Sequence, residues 1–291
     1  IGAVVSRALG AGKRARARRL AGASLWLGVA LSLATVAILM PLRAPILAAF
    51  GAQGETRDIA ASFLAVTLPA NILFSLGMSL SAILRAAGDG RRAMYVTLFG
   101  GVATAILDPI FIFGLGLGVH GAAIVIVVSR FVFAAVGWWG AARVHNLVGP
   151  PQRESLGADL RVVLAVAGPA ILTNIATPVG QSYSMRVFSE FGEQAVAAFA
   201  MIDRIVPVAF GVLFALSGSV GPIMGQNLGA GLHDRVRRVL LDCFSLTVIY
   251  VAAIWVALWF GGPLVVALFG AKGEAARIVL FFCGWGVAIW F

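Results

Sequence analysis

The chain has 291 residues, of which 60% are hydrophobic and only 12% charged, with a formal net charge of +10. Soluble domains are roughly 45–50% apolar and about 25% charged, so a soluble enzyme or regulatory domain is excluded. The mean hydropathy of +0.98 points the same way. Lipid is the natural solvent for such a chain.

Residues 1–8 read as the tail of an earlier membrane span. Apolar runs long enough to cross the hydrocarbon as helices follow at 22–42, 59–84, 94–115, 119–142, 162–188, 195–222 and 239–261. An eighth run, 275–291, ends inside apolar sequence at Trp290-Phe291. The expectation is seven full spans and one truncated span, in a fragment of a longer protein.

The basic residues sort by connection. Arg7, Lys13, Arg14, Arg16, Arg18 and Arg19 precede the first span. Arg85, Arg91 and Arg92 join the second to the third, Arg143, Arg153 and Arg161 the fourth to the fifth, and Arg235, Arg237 and Arg238 the sixth to the seventh. The alternate connections carry only Arg43, Arg57, Lys272 and Arg277. A bias that alternates with each crossing is the positive-inside pattern. It places the loops around 11–19, 85–92, 143–161 and 233–238 in the cytoplasm of a multi-pass inner or plasma-membrane protein. The charge is thus topological, and no nucleic-acid partner is expected.

The chain also repeats itself. LGAGKRARARR at 9–19 matches LGAGLHDRVRR at 228–238, and FGAQGE at 50–55 matches FGAKGE at 269–274, both at an offset of 219 residues. Six spans fall within that offset. An even number of crossings returns the chain to the same side, so the two copies are parallel. Parallel repeats of this kind occur in secondary transporters. The fold class expected is an all-α polytopic membrane protein of two six-helix bundles related by a parallel internal repeat. Residues 1–150 are assigned to the N-terminal bundle, lacking its first helix and most of its second. Residues 151–291 are assigned to the C-terminal bundle, truncated in its fourth helix.

Polar groups inside spans are expensive and each demands a reason. Asp108, in AILDPIFIF, precedes Pro109, which removes a backbone donor and marks a helix break. It is a titratable carboxylate suited to carry a proton or share in a cation site; capping the break or pairing with an arginine is the alternative. Arg130 stands at a similar depth in the next span, where it can pair with Asp108 or bond backbone carbonyls. Asp203 and Arg204 are sequence neighbours and so do not share a helix face; Asp203 is a cavity candidate. Asn174, Thr177, Gln181 and Ser184 recur at helical spacing on one face. That stripe either lines a pathway or bonds neighbouring helices. Asn71, two residues after Pro69, belongs to a similar polar stretch. Asp89, Glu154, Asp159 and Asp234 lie in connections and read as solvated.

No motif for catalysis or metal binding survives. GLGLGVHG at 114–121 is a turn between helices and not a phosphate loop, since no strand precedes it. His120, His145 and His233 stand alone at span ends. Cys243 and Cys283 lack metal spacing and read as small hydrophobes. Neither an enzyme, a resident cofactor, a metal nor an obligate protein partner is expected.

Four segments resemble the multidrug and toxic compound extrusion (MATE) transporters: LRAAGDGRRAM at 84–94, ILDPIFIFGLGLGVHGAAI at 106–124, AVAAFAMIDRI at 195–205 and GPIMGQNLGAG at 221–231. The resemblance implies two bundles around a cleft and export of amphiphilic or cationic small molecules in exchange for protons or sodium. It implies that Asp108 is one carboxylate of the N-terminal cation site. Thr104 stands where the family commonly has Asn, Ile126 where it has Thr, and Thr177 where one branch has a glutamate. These departures favour a proton over sodium, since a proton needs fewer ligands. The alternative within the superfamily is a flippase for a lipid-linked oligosaccharide precursor, for which Arg130, Arg186 and Arg204 are the relevant basic residues.

Overall fold

A computed structural model describes residues 1–49, 51, 53–150, 152 and 154–287. Phe50 of the first repeat motif, Arg153 of the basic connection and the end of the eighth run at 288–291 lie outside the described residues. The elements in chain order are α1 (Gly2–Gly10), α2 (Arg14–Ala49), α3 (Gly54–Ala86) and α4 (Gly90–Asp108), which continues as a π-helical segment, π1 (Pro109–Gly114). Then come α5 (Gly118–Trp138) with π2 (Trp139–Val144), α6 (Leu156–Glu190), α7 (Glu193–Gly229), α8 (His233–Phe269), α9 (Gly273–Phe281) and π3 (Phe282–Gly286). Among the described residues seven helices are long and apolar enough to cross a membrane, beginning with α2 and ending with α8.

The helices outrun the apolar cores read from sequence. At 1.5 Å per residue, the 36 residues of α2 exceed what a bilayer core requires. Their ends are the charged connections wound into helix. Chain reversals fall where glycine takes a positive φ, as at Gly12 (72°), Gly88 (83°) and Gly231 (74°), conformations in which a Cβ is strained.

The chain divides into two compact units. The first comprises residues 1–166 and 221–232; the second comprises residues 167–220 and the chain from His233 on. The core of the first is built from Leu20, Leu25, Leu80, Ile83, Leu84 and Val96, with Leu147 and Val148 of the connection after π2. Backbones approach closely here. A Cβ on Gly77 of α3 would stand 2.8 Å from Phe133 Cβ of α5, and one on Gly137 of α5 the same distance from Leu80 Cβ. Small residues at helix crossings supply the packing that lipid cannot drive. The core of the second unit joins Ala198, Ile202, Ile205 and Phe210 of α7 to Val279, Phe282 and Cys283.

The connection after π2 is tied to the first unit. Arg14 donates to the His145 carbonyl (2.8 Å), Trp26 Nε1 to the Gly149 carbonyl (3.4 Å), and Arg19 lies 3.8 Å from the Asp159 carboxylate. Asp159 also accepts a bond from Ser155 and is buried. Two acids read as solvated are therefore engaged: Asp159 here and Asp89 below. The reason is that Arg19 of α2 reaches Asp159 in the first turn of α6, while Asp89 takes Arg92 of the helix it caps and the distant His145.

Candidate functional site

α4 sets the geometry of the polar site in the first unit. Asp89 caps it: its Oδ1 accepts the Arg92 backbone N–H at 3.0 Å, and its Oδ2 accepts from the Arg92 guanidinium and meets His145 Nε2 at 2.8 Å. Its side chain is only 13% exposed. Burial pushes this carboxyl up, but the bonds from His145 and Arg92 outweigh it and hold the pKa at about 2. His145, read as isolated, is thus paired with Asp89.

From that cap α4 runs to Asp108, where α-helical bonding gives way to π1. Pro109 has no N–H, so the ladder is interrupted where the sequence predicts a break. The chain does not break; it widens. Leu115 N–H bonds Ile110 O, five residues back, at 2.8 Å. Single π turns inside α-helices are frequent at functional sites. Asp108 is half-buried at this junction.

Thr104 lies one turn before Asp108, so the two share a helix face. Its hydroxyl is 2.6 Å from Ser129 Oγ of α5, 3.1 Å from Gly100 O, while Ser129 Oγ is 2.8 Å from Val125 O. Each hydroxyl has one proton. One of them therefore donates across the helix pair while the other bonds its own helix. Ser129 is buried, and the sequence reading passed over it. Its signal is a lone hydroxyl in the apolar run before Arg130.

Arg130 does not pair with Asp108. Its Nη1 donates to the Thr67 carbonyl of α3 at 2.9 Å, and its guanidinium lies over the Phe74 ring, 5.6 Å from the centroid. Among the described residues no carboxylate stands within 4.0 Å of it. The carbonyl alternative is the one formed, because α3 packs on α5 and brings Thr67 O to the guanidinium. Asn71 is exposed one turn beyond Thr67 on the same face of α3. The first unit thus places Asn71, Thr104, Asp108 and Arg130 on three packed helices, α3 to α5.

The second unit holds the remaining candidates. Gln181 Nε2 donates to Asp203 Oδ1 at 3.3 Å, joining α6 to α7. Asn174 donates to Ala170 O of its own helix at 2.8 Å, as Thr173 and Ser182 bond Pro169 O and Pro178 O. All three are bonds to the carbonyl four residues back, the usual resort of a short polar side chain inside a helix. Thr177 is exposed on α6. Of the stripe, only Gln181 has a partner on another helix among the bonds described. Asp203 and Arg204 form no ion pair, as their adjacency requires. The same unit carries an unforeseen aromatic pocket of about 270 Å³, lined by Trp255, Val256, Trp259, Phe260 and Trp285. Trp255 Nε1 donates to Gly284 O beside it.

No group of three or more His, Cys, Asp or Glu able to hold a metal occurs among the described residues. Cys243 and Cys283 are free thiols.

Comparison with known proteins decides the family. The MatE family model matches residues 1–110 and 169–287. The chain belongs to the MATE family. Among MATE relatives and neighbours, a FAD transporter of Shewanella oneidensis is 27% identical over 68% of this chain and 45% of its own length. The multidrug export protein MepA of Staphylococcus aureus is 26% identical over 96% of this chain and 62% of its own. A crystal structure of a point mutant of the Vibrio cholerae MATE transporter VcmN superposes with a TM-score of 0.91 and 25% identity, covering 97% of this chain and 64% of that one. This MATE chain therefore spans about half to two thirds of the length of these relatives. The all-α polytopic fold class expected from the repeat is the one these MATE structures share.

Proposed function

We propose that this chain forms the coupling and part of the substrate-binding region of a secondary antiporter that exports amphiphilic organic cations in exchange for protons, by alternating access. The observation that carries the reading is Asp108 at the α-to-π junction of α4, one turn from the Thr104–Ser129 hydroxyl pair. A half-buried carboxylate on a span, beside hydroxyls that can reorient their protons, is an arrangement for binding and releasing one proton. In this reading the basic connections face the cytoplasm and Asp108 takes up its proton from the outer side. Gln181, Asp203 and Asn174 contribute polar contacts to the substrate. The gradient supplies the free energy.

The test is efflux of a fluorescent organic cation from energised cells that express the complete protein, with a proton uncoupler and with sodium varied. The reading expects efflux that collapses with the uncoupler, ignores sodium and is lost in Asp108→Asn. Transport by Asp108→Asn at the wild-type rate overturns the role given to Asp108.

One observation favours a second reading. Arg130 is a membrane-embedded cation with no carboxylate within 4.0 Å among the described residues, which suits an anionic amphiphile such as a lipid-linked sugar phosphate. Efflux of no cationic dye, together with movement of a lipid-linked phosphate between leaflets of reconstituted vesicles, establishes that reading in place of the first.

A further inference from the structure

The aromatic pocket of the second unit takes no part in the polar site. No charged residue stands between Asp242 and Lys272, and Trp255 and Trp259 fall near the middle of that stretch. Tryptophan in membrane proteins gathers at the two interfaces, where its N–H stays wet. At mid-depth an indole N–H has no water to bond, so three indoles together require a reason of their own. The trio is held in place. Trp255 Nε1 donates to the Gly284 carbonyl of π3. Trp259 stands edge-on to Trp255, with centroids 6.0 Å apart, and to Trp285, with centroids 5.2 Å apart. Trp259, Phe260 and Trp285 nevertheless remain exposed.

The internal repeat indicates which helices leave this face open. In its register of 219 residues α8 answers to α2, and α9 with π3 answers to the start of α3. The turn glycines agree: Gly51 (φ 79°) with Gly270 (62°), and Gly54 (54°) with Gly273 (60°). Trp255, Trp259 and Trp285 then correspond to Val36, Met40 and Val66. In the first unit the two spans that follow α3 are in place, yet Val66 is 42% exposed and Val36 and Met40 are only half-buried. In the second unit α6 and α7 supply no residue to the pocket wall. An aliphatic face in one repeat is thus an aromatic hollow in the other.

The chemistry of the wall selects the occupant. It holds no basic residue to receive a phosphate or carboxylate, and no hydroxyl, amide or acid to receive a sugar. Its volume of about 270 Å³ admits a substituted ammonium or phosphonium centre with part of its rings, and not a whole phospholipid. An acyl chain needs only an aliphatic wall, such as the repeat-related residues provide. What indoles add is a negative π-face, and tryptophan is the best ring for holding a cation. Among the described residues no arginine or lysine lies over these rings; the cation–π contacts are to Tyr95, Trp139 and Phe74. We propose that the pocket binds the onium centre of a lipophilic organic cation reached from the bilayer, at a site distinct from the polar groups of α3 to α7. Its use as a loading site for export rests on the antiport reading; the binding itself does not.

The test is equilibrium binding of radiolabelled methyltriphenylphosphonium to the complete protein in lipid nanodiscs. Trp259 is replaced in turn by mono-, di- and trifluorotryptophan, which keep the shape of the indole and drain charge from its π-face. Affinity is expected to fall with each fluorine, by about fivefold for the trifluoro form. Trp259→Leu and Trp285→Leu are each expected to lose at least as much. Equal affinity across the fluorinated series overturns the cation site, whether or not the leucine variants fold. In cells the trifluoro form is expected to raise the KM for export of the same cation and leave kcat unchanged. An unchanged KM overturns the loading role. A wild-type protein that binds the phosphonium but exports no cation overturns the antiport reading instead, and the fluorine series still decides the site.

Discussion

Arg130 bonds the carbonyl of Thr67, on α3, and not the carboxylate of Asp108, on α4. A charge that is always protonated is thereby satisfied by backbone and by the Phe74 ring. Asp108 is left without a fixed counter-ion among the described residues.

That arrangement makes Arg130 and Phe74 energetically coupled. Phe74→Leu and Arg130→Lys each weaken the stacked contact, since an ammonium does not present the guanidinium plane. A double-mutant cycle on thermal unfolding of the complete protein in detergent is expected to give a coupling energy of about 0.5–1 kcal/mol. Strict additivity refutes the contact.

Thr104→Val and Ser129→Ala each remove half of the 2.6 Å hydroxyl pair. Each is expected to cost about 1 kcal/mol, and the double variant less than the sum. If Asp108 carries the proton as proposed, both should displace the pH dependence of transport in the efflux assay, because the pair sits one helical turn from Asp108. An unchanged pH profile in both argues that the pair is only packing.

Asp89 gives a pH dependence of stability with a definite sign. Its folded pKa of about 2 lies below the ordinary value of 3.8, so its contribution is present above about pH 4 and is lost as pH falls toward 2. Asp89→Asn keeps a cap but loses the charge for Arg92 and His145. Thermal unfolding measured between pH 6 and 3 is expected to fall for the wild type and to flatten in the variant over the lower part of that range. Parallel curves contradict the assignment.

Two glycines separate by what they touch. A Cβ on Gly77 meets the Phe133 Cβ at 2.8 Å and its backbone carbon at 2.9 Å, and neither can move without shifting α5. A Cβ on Gly100 overlaps only the Phe133 ring, which can rotate. Gly77→Ala is expected to cost about 1–3 kcal/mol and Gly100→Ala clearly less. Thermal unfolding of the two single variants reads the order directly, and the reverse order refutes it.

Hydropathy made the spans legible, because a helix in lipid must be apolar over its whole length. Thr104, Asp108, Arg130 and Asp203 were legible as candidates for the matching reason: each is a polar exception inside an apolar run. What residue types could not show was the partner. Arg130 is held by a carbonyl, an acceptor every residue carries. Asp89 and His145 are 56 positions apart and meet only once α4 and π2 are packed. The π segments at 109–114, 139–144 and 282–286 leave no trace in apolar periodicity, and only Pro109 marks one of them. Ser129 was overlooked because one hydroxyl in lipid can satisfy itself on its own helix, as it partly does here.

The wide turn beyond Asp108 has a mechanical consequence. An α-helix and a π-helix satisfy the same carbonyls with donors one residue apart. Slipping π1 back by one residue would turn the chain beyond it by about 100° and move it about 1.5 Å along the axis without unfolding α4. In the antiport proposed above, the six residues after Asp108 would act as a screw thread of a single step next to that carboxylate.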